Sequence, residues 1–148
     1  MTSGKKIMAK SVDVSSYQQN RDRAHVISLW QAVFPDDPPW NEPAALIDTK
    51  LTVLPELFLV ARQADRLVGT VVGGFDGFRG WMYHVATEAN FRRKGVATAL
   101  VGELETRLRA LGCKKLNLQV RTGNDAVTSF YEGLGYSAEP RVSLGKRL

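Results

Sequence analysis

One stretch restricts this chain more than any other. In Asn90-Phe91-Arg92-Arg93-Lys94-Gly95-Val96-Ala97-Thr98-Ala99-Leu100, three cations and a glycine run directly into a helical pattern. Val96, Ala97, Leu100, Val101, Leu104, Leu108 and Leu111 recur at three- and four-residue intervals, so they share one face of an α-helix. Glu103 with Arg107 and Glu105 with Arg109 are i,i+4 pairs with the acid first, and Gly112 supplies the C-terminal stop. The rest of the chain is arranged around this helix. Its first turn has amides without intrahelical partners and the positive end of the macrodipole. Gly95 lets an anion approach those amides, and Arg92, Arg93 and Lys94 raise the local potential. Such a terminus suits a phosphate or pyrophosphate. A solvated basic loop preceding a helix is the plainer reading of the same residues.

At 148 residues the chain is long enough for one domain with a real core, and 44% hydrophobic with 24% charged residues is ordinary for a soluble globular protein. No apolar run approaches the ~20 residues of a membrane span. The lysines at 5, 6 and 10 precede no apolar segment, which argues against a secretory signal and for the cytoplasm. Cys113 stands alone, so an internal disulfide and a Cys-rich metal site are both excluded, and no metal is expected. The net charge of +5 suits an anionic ligand. Its cations form no long run, so nucleic-acid binding is not indicated, and neither is a membrane partner.

Residues 1–10 read as a flexible N-terminal extension and 11–148 as a single domain. Ser11–Ser16 alternates as a first strand. Ile27, Trp30, Val33 and Phe34 mark a helix from about Arg21 to Phe34, which Pro35 ends. Asp36-Asp37-Pro38-Pro39-Trp40 is a stiff acidic loop. Pro43, capped by Glu42 or Asn41, opens a second helix with Leu46, Ile47, Leu51 and Leu54 on its buried face, stopped by Pro55. Leu57–Arg62 and Leu67–Gly74 flank the polar turn Gln63-Ala64-Asp65-Arg66 as a hairpin. Gly73, Gly74, Gly77 and Gly80 loosen the connection into a strand over Trp81–Thr87. After the long helix, Lys115–Thr122 alternates as a half-buried strand. Thr122-Gly123-Asn124-Asp125 has the turn and capping chemistry for a further helix through Val127, Phe130 and Leu134 to Gly135, and a last strand is expected within Arg141–Lys146.

The order β-α-α-β-β-β-α-β-α-β implies an α/β (α+β) fold, with a mixed, mostly antiparallel central sheet and helices on both faces. The long helix then opens beside the carboxyl end of Trp81–Thr87, where ligands of such sheets tend to bind. A parallel pair held apart there would leave a cleft for an extended cofactor arm.

Arg92-x-x-Gly95-x-Ala97, directly after Trp81–Thr87, resembles the Gln/Arg-x-x-Gly-x-Gly/Ala signature of the GNAT N-acetyltransferase superfamily. Ala97 stands where many members have a second glycine. Asn124 followed by Phe130-Tyr131-Glu132-Gly133-Leu134-Gly135-Tyr136 is similar to a second segment of that family, and the element order from Val12 to Leu148 agrees. Val68-Gly69-Thr70-Val71, the run from Gly74 to Gly80, and Ser143-Leu144-Gly145-Lys146 resemble the bacterial YpeA-type branch, which has no assigned acceptor. The resemblance implies the acyl-CoA N-acyltransferase fold, with acetyl-CoA as co-substrate and an amine as acceptor. It implies that Arg92, Arg93, Lys94, Gly95, Val96, Ala97 and Thr98 wrap the pyrophosphate. Val85, Ala86 and Thr87 would pair with the pantetheine arm, Asn124 would hold that arm from the opposite wall, and Tyr131 would act at the sulfur.

Acetyl transfer needs a neutral nucleophile, a polarised carbonyl and a proton for the departing thiolate. A free alkylammonium is only about 0.04% deprotonated at pH 7, so something must take its proton or lower its pKa. A backbone N–H near Val85 could face the developing oxyanion. Tyr131 suits the acid, although an aromatic beside Phe130 and Leu134 is also a normal core residue. The base stays open among His84, Glu88, Asp76 and water. The acidic loop Asp36–Trp40 either attracts a cationic amine or is a proline-stiffened solvent loop. A non-catalytic acyl-CoA-binding regulator is the alternative to an enzyme; it would keep the basic loop and gain nothing from Tyr131. Neither a Walker loop nor a dinucleotide Gly-x-Gly-x-x-Gly is present. The acceptor and the oligomeric state, a homodimer included, are left open.

Overall fold

Compact apolar runs in the middle third of the chain build a sheet, and the long helix covers one of its faces. The computed structural model describes residues 11–148, so the N-terminal extension read over residues 1–10 lies outside the described residues. The chain divides into two compact units, the first ending at Leu118 and the second running Gln119–Leu148.

In the first unit, β1 (Asp13–Ser16) leads into α1 (Gln19–Val33), a 3-10 turn at Pro39–Asn41, and α2 (Pro43–Lys50). Then come β2 (Phe58–Gln63), β3 (Arg66–Phe75), β4 (Gly80–Thr87), α3 (Val96–Ala110) and the two-residue β5 (Leu116–Asn117). The strands lie side by side in the order β1-β2-β3-β4-β5. The first three pairings are antiparallel and β4 with β5 is parallel, which is the mixed, mostly antiparallel sheet expected. The β2–β3 turn is Ala64-Asp65 with both φ positive, 51° and 66°, the primed geometry that matches strand twist.

Successive residues of a strand face opposite sides. On one side Phe58, Val60 and Ala86 join Tyr17, Val26, Leu29, Trp30 and Ile47 in a buried cluster beneath α1 and α2. On the other side α3 lies close against glycines. A methyl group placed on Gly69 would meet Val96 Cγ1 at 2.7 Å, and one on Gly73 would meet Leu104 Cδ1 at 2.3 Å. Buried Leu100 and Leu104 therefore reach the sheet because β3 carries no side chain there, and Leu108 does so at Gly80 of β4. Asp22 and Arg62 form a buried ion pair, and Asp22 also accepts from the Gln18 amide at 2.8 Å where α1 begins.

Three expectations that bear on the first unit need correction. Helix α2 ends at Lys50 rather than running to Pro55: the residue before a proline avoids the right-handed helical region, and Leu54 takes φ 46°. The strand expected over Lys115–Thr122 is laddered only at Leu116–Asn117, because alternation reports an extended half-buried segment and not a partner within hydrogen-bonding reach. Gly73 and Gly74 belong to β3 instead of a loosened connection, and the tight turn beyond them is held by Asp76, which accepts from the Phe78 and Arg79 amides at 2.7 and 2.9 Å.

In the second unit, α4 spans Asp125–Gly133. The strand expected in Arg141–Lys146 does not form: Val142 and Leu144 are 86% and 92% exposed and no ladder includes them, so their alternation has no surface to bury against.

Candidate active site

The loop between β4 and α3 turns the chain from the end of the strand into the helix. Arg93 and Gly95 both have left-handed backbone, φ 63° and 85°, which turns the chain sharply into the helix. The amides from Arg93 through Thr98 make no hydrogen bond among the described residues; the first helical amide with a partner is Ala99, which donates to the Gly95 carbonyl at 3.0 Å. Arg92, Arg93, Lys94 and Gly95 are exposed, and a methyl group on Gly95 would find no atom within 4 Å. Open amides in a left-handed turn at a helix N-terminus form a concave anion receptor. Val96 is buried against the sheet and anchors the turn from below, while Ala97 and Thr98 lie nearer the surface. Lys94 Nζ lies 5.7 Å above the Phe91 ring, and Arg92 Nε donates to the Thr87 carbonyl at 3.4 Å.

The adjacent strand offers an open edge. β4 pairs with β5 only at Gly80 and Trp81, so its outer edge beyond Trp81, which includes Val85, Ala86 and Thr87, carries no strand among the described residues. An unpaired strand edge is what an extended amide-bearing arm can use as a partner. The β3–β4 register steps from Thr70↔Ala86 to Val72↔Tyr83, so β4 holds one extra residue there. His84, with φ 50°, is part of that bulge. Bulges of this kind interrupt a ladder and re-aim a side chain.

The His84 ring is held between Trp30 and Phe34, with centroids 4.6 and 4.8 Å away, and its Nε2 lies 3.5 Å from Asp37 Oδ2. Burial pushes His84 below the ordinary imidazole range, and the Asp37 carboxylate opposes that shift. The other two base candidates are occupied otherwise. Asp76 is a turn cap, and the Arg79 and Phe78 amides hold its carboxyl below the usual range. Glu88 pairs with Arg66 and accepts from the Asn90 amide at 2.6 Å, on the wall of a groove of about 550 Å³ that also touches His25, Leu29 and Arg92.

In the second unit, Asn124 Oδ1 caps α4 by accepting from the Val127 amide at 3.4 Å. Tyr131 is buried, with the ring centroids of Phe130 and Tyr136 at 4.9 and 5.7 Å in edge-on contact, and its hydroxyl makes no hydrogen bond among the described residues. Burial pushes its pKa up to about 12. The sequence singles out both residues, but it does not join Trp30 to Thr70 or Asp37 to His84, since each contact links segments far apart in the chain. Among the described residues no group of His, Cys, Asp and Glu could hold a metal ion, and no helix is long and apolar enough to cross a membrane.

The model of the acetyltransferase (GNAT) family matches residues 23–136, and the chain belongs to that family. It is 45% identical over 139 residues to an acetyltransferase of Yersinia enterocolitica, covering 93% of this chain and 96% of that one. It is 46% identical over 130 residues to an acetyltransferase of Sodalis glossinidius, covering 86% and 89%. Among solved structures it resembles the aminoglycoside N-acetyltransferase AAC(6')-Iy in complex with CoA, with a TM-score of 0.77 at 15% identity over 93% of this chain and 95% of that one. The likeness to AAC(6')-Iy is one of fold. The chain is an acetyltransferase, and acetyl-CoA is its co-substrate.

Proposed function

We propose that the acceptor is a primary amine, carried by a small amine, an amino acid or a peptide, and that it attacks acetyl-CoA directly in a ternary complex. The observation that carries this reading is the run of unpartnered amides from Arg93 through Thr98 beside the open edge of β4. In this reading the amides of Arg93, Lys94, Gly95, Val96, Ala97 and Thr98 hold the pyrophosphate, with Arg92 adding charge at the rim. Val85, Ala86 and Thr87 hydrogen-bond the pantetheine arm as a further strand would, and a backbone N–H near Val85 faces the developing oxyanion. Asn124 gives its side-chain N–H groups to the same arm, its oxygen being committed to the α4 cap. Tyr131 protonates the departing thiolate, its hydroxyl being neutral through the physiological range. Residues 11–148 act as one domain, in keeping with a family match that crosses the Leu118 boundary.

The test combines calorimetry of coenzyme A and acetyl-CoA with a thiol-release assay over a panel of amines, amino acids and peptides. Micromolar cofactor binding with amine-dependent thiol release is expected. Cofactor binding without release by any amine would dismiss the amine acceptor, and no binding at millimolar cofactor would dismiss the pyrophosphate turn.

A further inference from the structure

Of the side chains read from the sequence as candidates for the base, His84, Glu88 and Asp76, two are committed elsewhere. Asp76 closes its own turn, and Glu88 is paired with Arg66 while capping Asn90. His84 is different. It lies in the bulge that interrupts β4, beside the strand edge assigned above to the acyl arm, and its ring is fixed on two sides by Trp30 and Phe34. The backbone there is fixed as well, because Thr70 Oγ1 donates to the His84 carbonyl at 3.0 Å. Asp37, from the acidic loop after α1, reaches Nε2. Among the described residues it is the one charged group paired with the ring, and Trp30 and Phe34, which flank the ring, carry no charge.

We propose that His84 is the general base that takes the proton of the attacking amine, and that Asp37 is its positioning residue. The inference rests on the amine-acceptor reading above. A carboxylate at Nε2 selects the tautomer with the proton on that nitrogen. Nδ1 then carries the lone pair, and it makes no hydrogen bond among the described residues. The bound ammonium first loses one proton to solvent. The neutral amine attacks the thioester carbon, the C–N bond forms and the nitrogen becomes cationic. That proton passes to Nδ1, and Asp37 stabilises the resulting imidazolium. The C–S bond breaks with its electron pair on sulfur, which the acid assigned above protonates, and the imidazolium returns its proton to solvent. Burial beside two aromatic rings keeps His84 neutral at physiological pH, which a base requires. The acidic loop thus has a use that its composition did not reveal: it orients the base.

The experiment compares the full-length protein with His84→Asn, His84→Gln and Asp37→Asn. Acetyl-CoA is the donor, and Nα-acetyl-lysine amide, glycinamide, spermidine and hydrazine are the acceptors. Asparagine tolerates positive φ, so His84→Asn keeps the bulge. Both His84 variants should bind coenzyme A as the wild type does and lose about 10²–10⁴-fold in kcat/KM with the alkylamines. Their pH profile should lack the lower inflection and keep only that of the amine. The loss should shrink with hydrazine, whose adduct yields its proton readily to water. Asp37→Asn removes the charge that raises the imidazole pKa, so the lower inflection should move to lower pH. A His84 variant with unchanged kcat/KM and an unchanged profile would overturn the base while leaving the amine reading intact. Absence of thiol release by the wild type with any of these amines would overturn both. If one His84 variant loses coenzyme A binding through misfolding, the other, with the Asp37→Asn profile, decides.

Discussion

Thr70 and His84, on neighbouring strands, are joined by a hydrogen bond from the Thr70 hydroxyl to the His84 carbonyl at 3.0 Å. The same hydroxyl accepts from Trp30 Nε1 at 2.9 Å, so one buried oxygen ties α1, β3 and the β4 bulge together. The bond explains how a non-glycine residue persists at φ 50°: the conformation costs of order 1–3 kcal/mol and the surroundings must over-determine it.

Thr70→Val keeps the shape and removes both bonds. It leaves a buried indole N–H and a carbonyl without this partner, at about 1–3 kcal/mol of stability. The loss should appear as a lower urea midpoint with an unchanged slope. Because the bulge sets the open edge of β4, the Michaelis constant for acetyl-CoA should rise as well. An unchanged midpoint would show that Thr70 does not hold the bulge.

Gly69→Ala tests how the helix start is seated. The added methyl would lie 2.7 Å from Val96 Cγ1 and 2.9 Å from the Ala86 carbonyl oxygen, so relief requires moving the first turn of α3 or the backbone of β4. Overpacking of this kind costs about 1–3 kcal/mol. Since Val96 anchors the amide turn, coenzyme A affinity should fall together with stability. Loss of stability with unaltered affinity would separate the turn from its foundation.

Much of the architecture could be read directly from the residues. The helical spacing from Val96 to Leu108 and the compact apolar run Leu57–Arg62 are local signals, and the elements form where those signals lie. The loop could be read for the same reason, since its glycine and its cations are contiguous. What could not be read depends on partners distant in sequence. Lys115–Thr122 has the pattern of a strand but meets β4 at only two residues, and nothing in its own composition limits the ladder. The glycines of β3 look like loop residues until α3 lies against them. His84 beside Asp37 joins residues that no spacing rule connects.

Gly95→Ala adds a methyl where the structure has room, so the clash is with a ligand and not with the protein. The cost in the free protein is that of left-handed backbone at φ 85°, about 1–2 kcal/mol. If the amides on either side receive a pyrophosphate, coenzyme A affinity should fall tenfold or more beyond what the loss of stability explains. Calorimetry with coenzyme A and with dephosphorylated pantetheine separates the two contributions: pantetheine, which lacks the pyrophosphate, should bind both proteins alike. Equal weakening for the two ligands would place the effect elsewhere than at the phosphates.

Tyr131 gives the clearest dependence on pH. Its hydroxyl ionises near 10 in an unfolded chain, and burial pushes this up to about 12 in the fold. Between those two values the unfolded chain has released a proton that the folded one still holds, so stability falls as pH rises from about 10 to about 12 and is fully present below that window. A displacement of that size corresponds to about 2–3 kcal/mol. Tyr131→Phe has no proton to lose, so the difference in unfolding free energy between wild type and variant should shrink across this window by that amount. At neutral pH the same substitution should lower kcat for thiol release about 10²-fold while coenzyme A affinity stays within a factor of two. A variant with full turnover would return Tyr131 to the role of a core aromatic beside Phe130 and Tyr136.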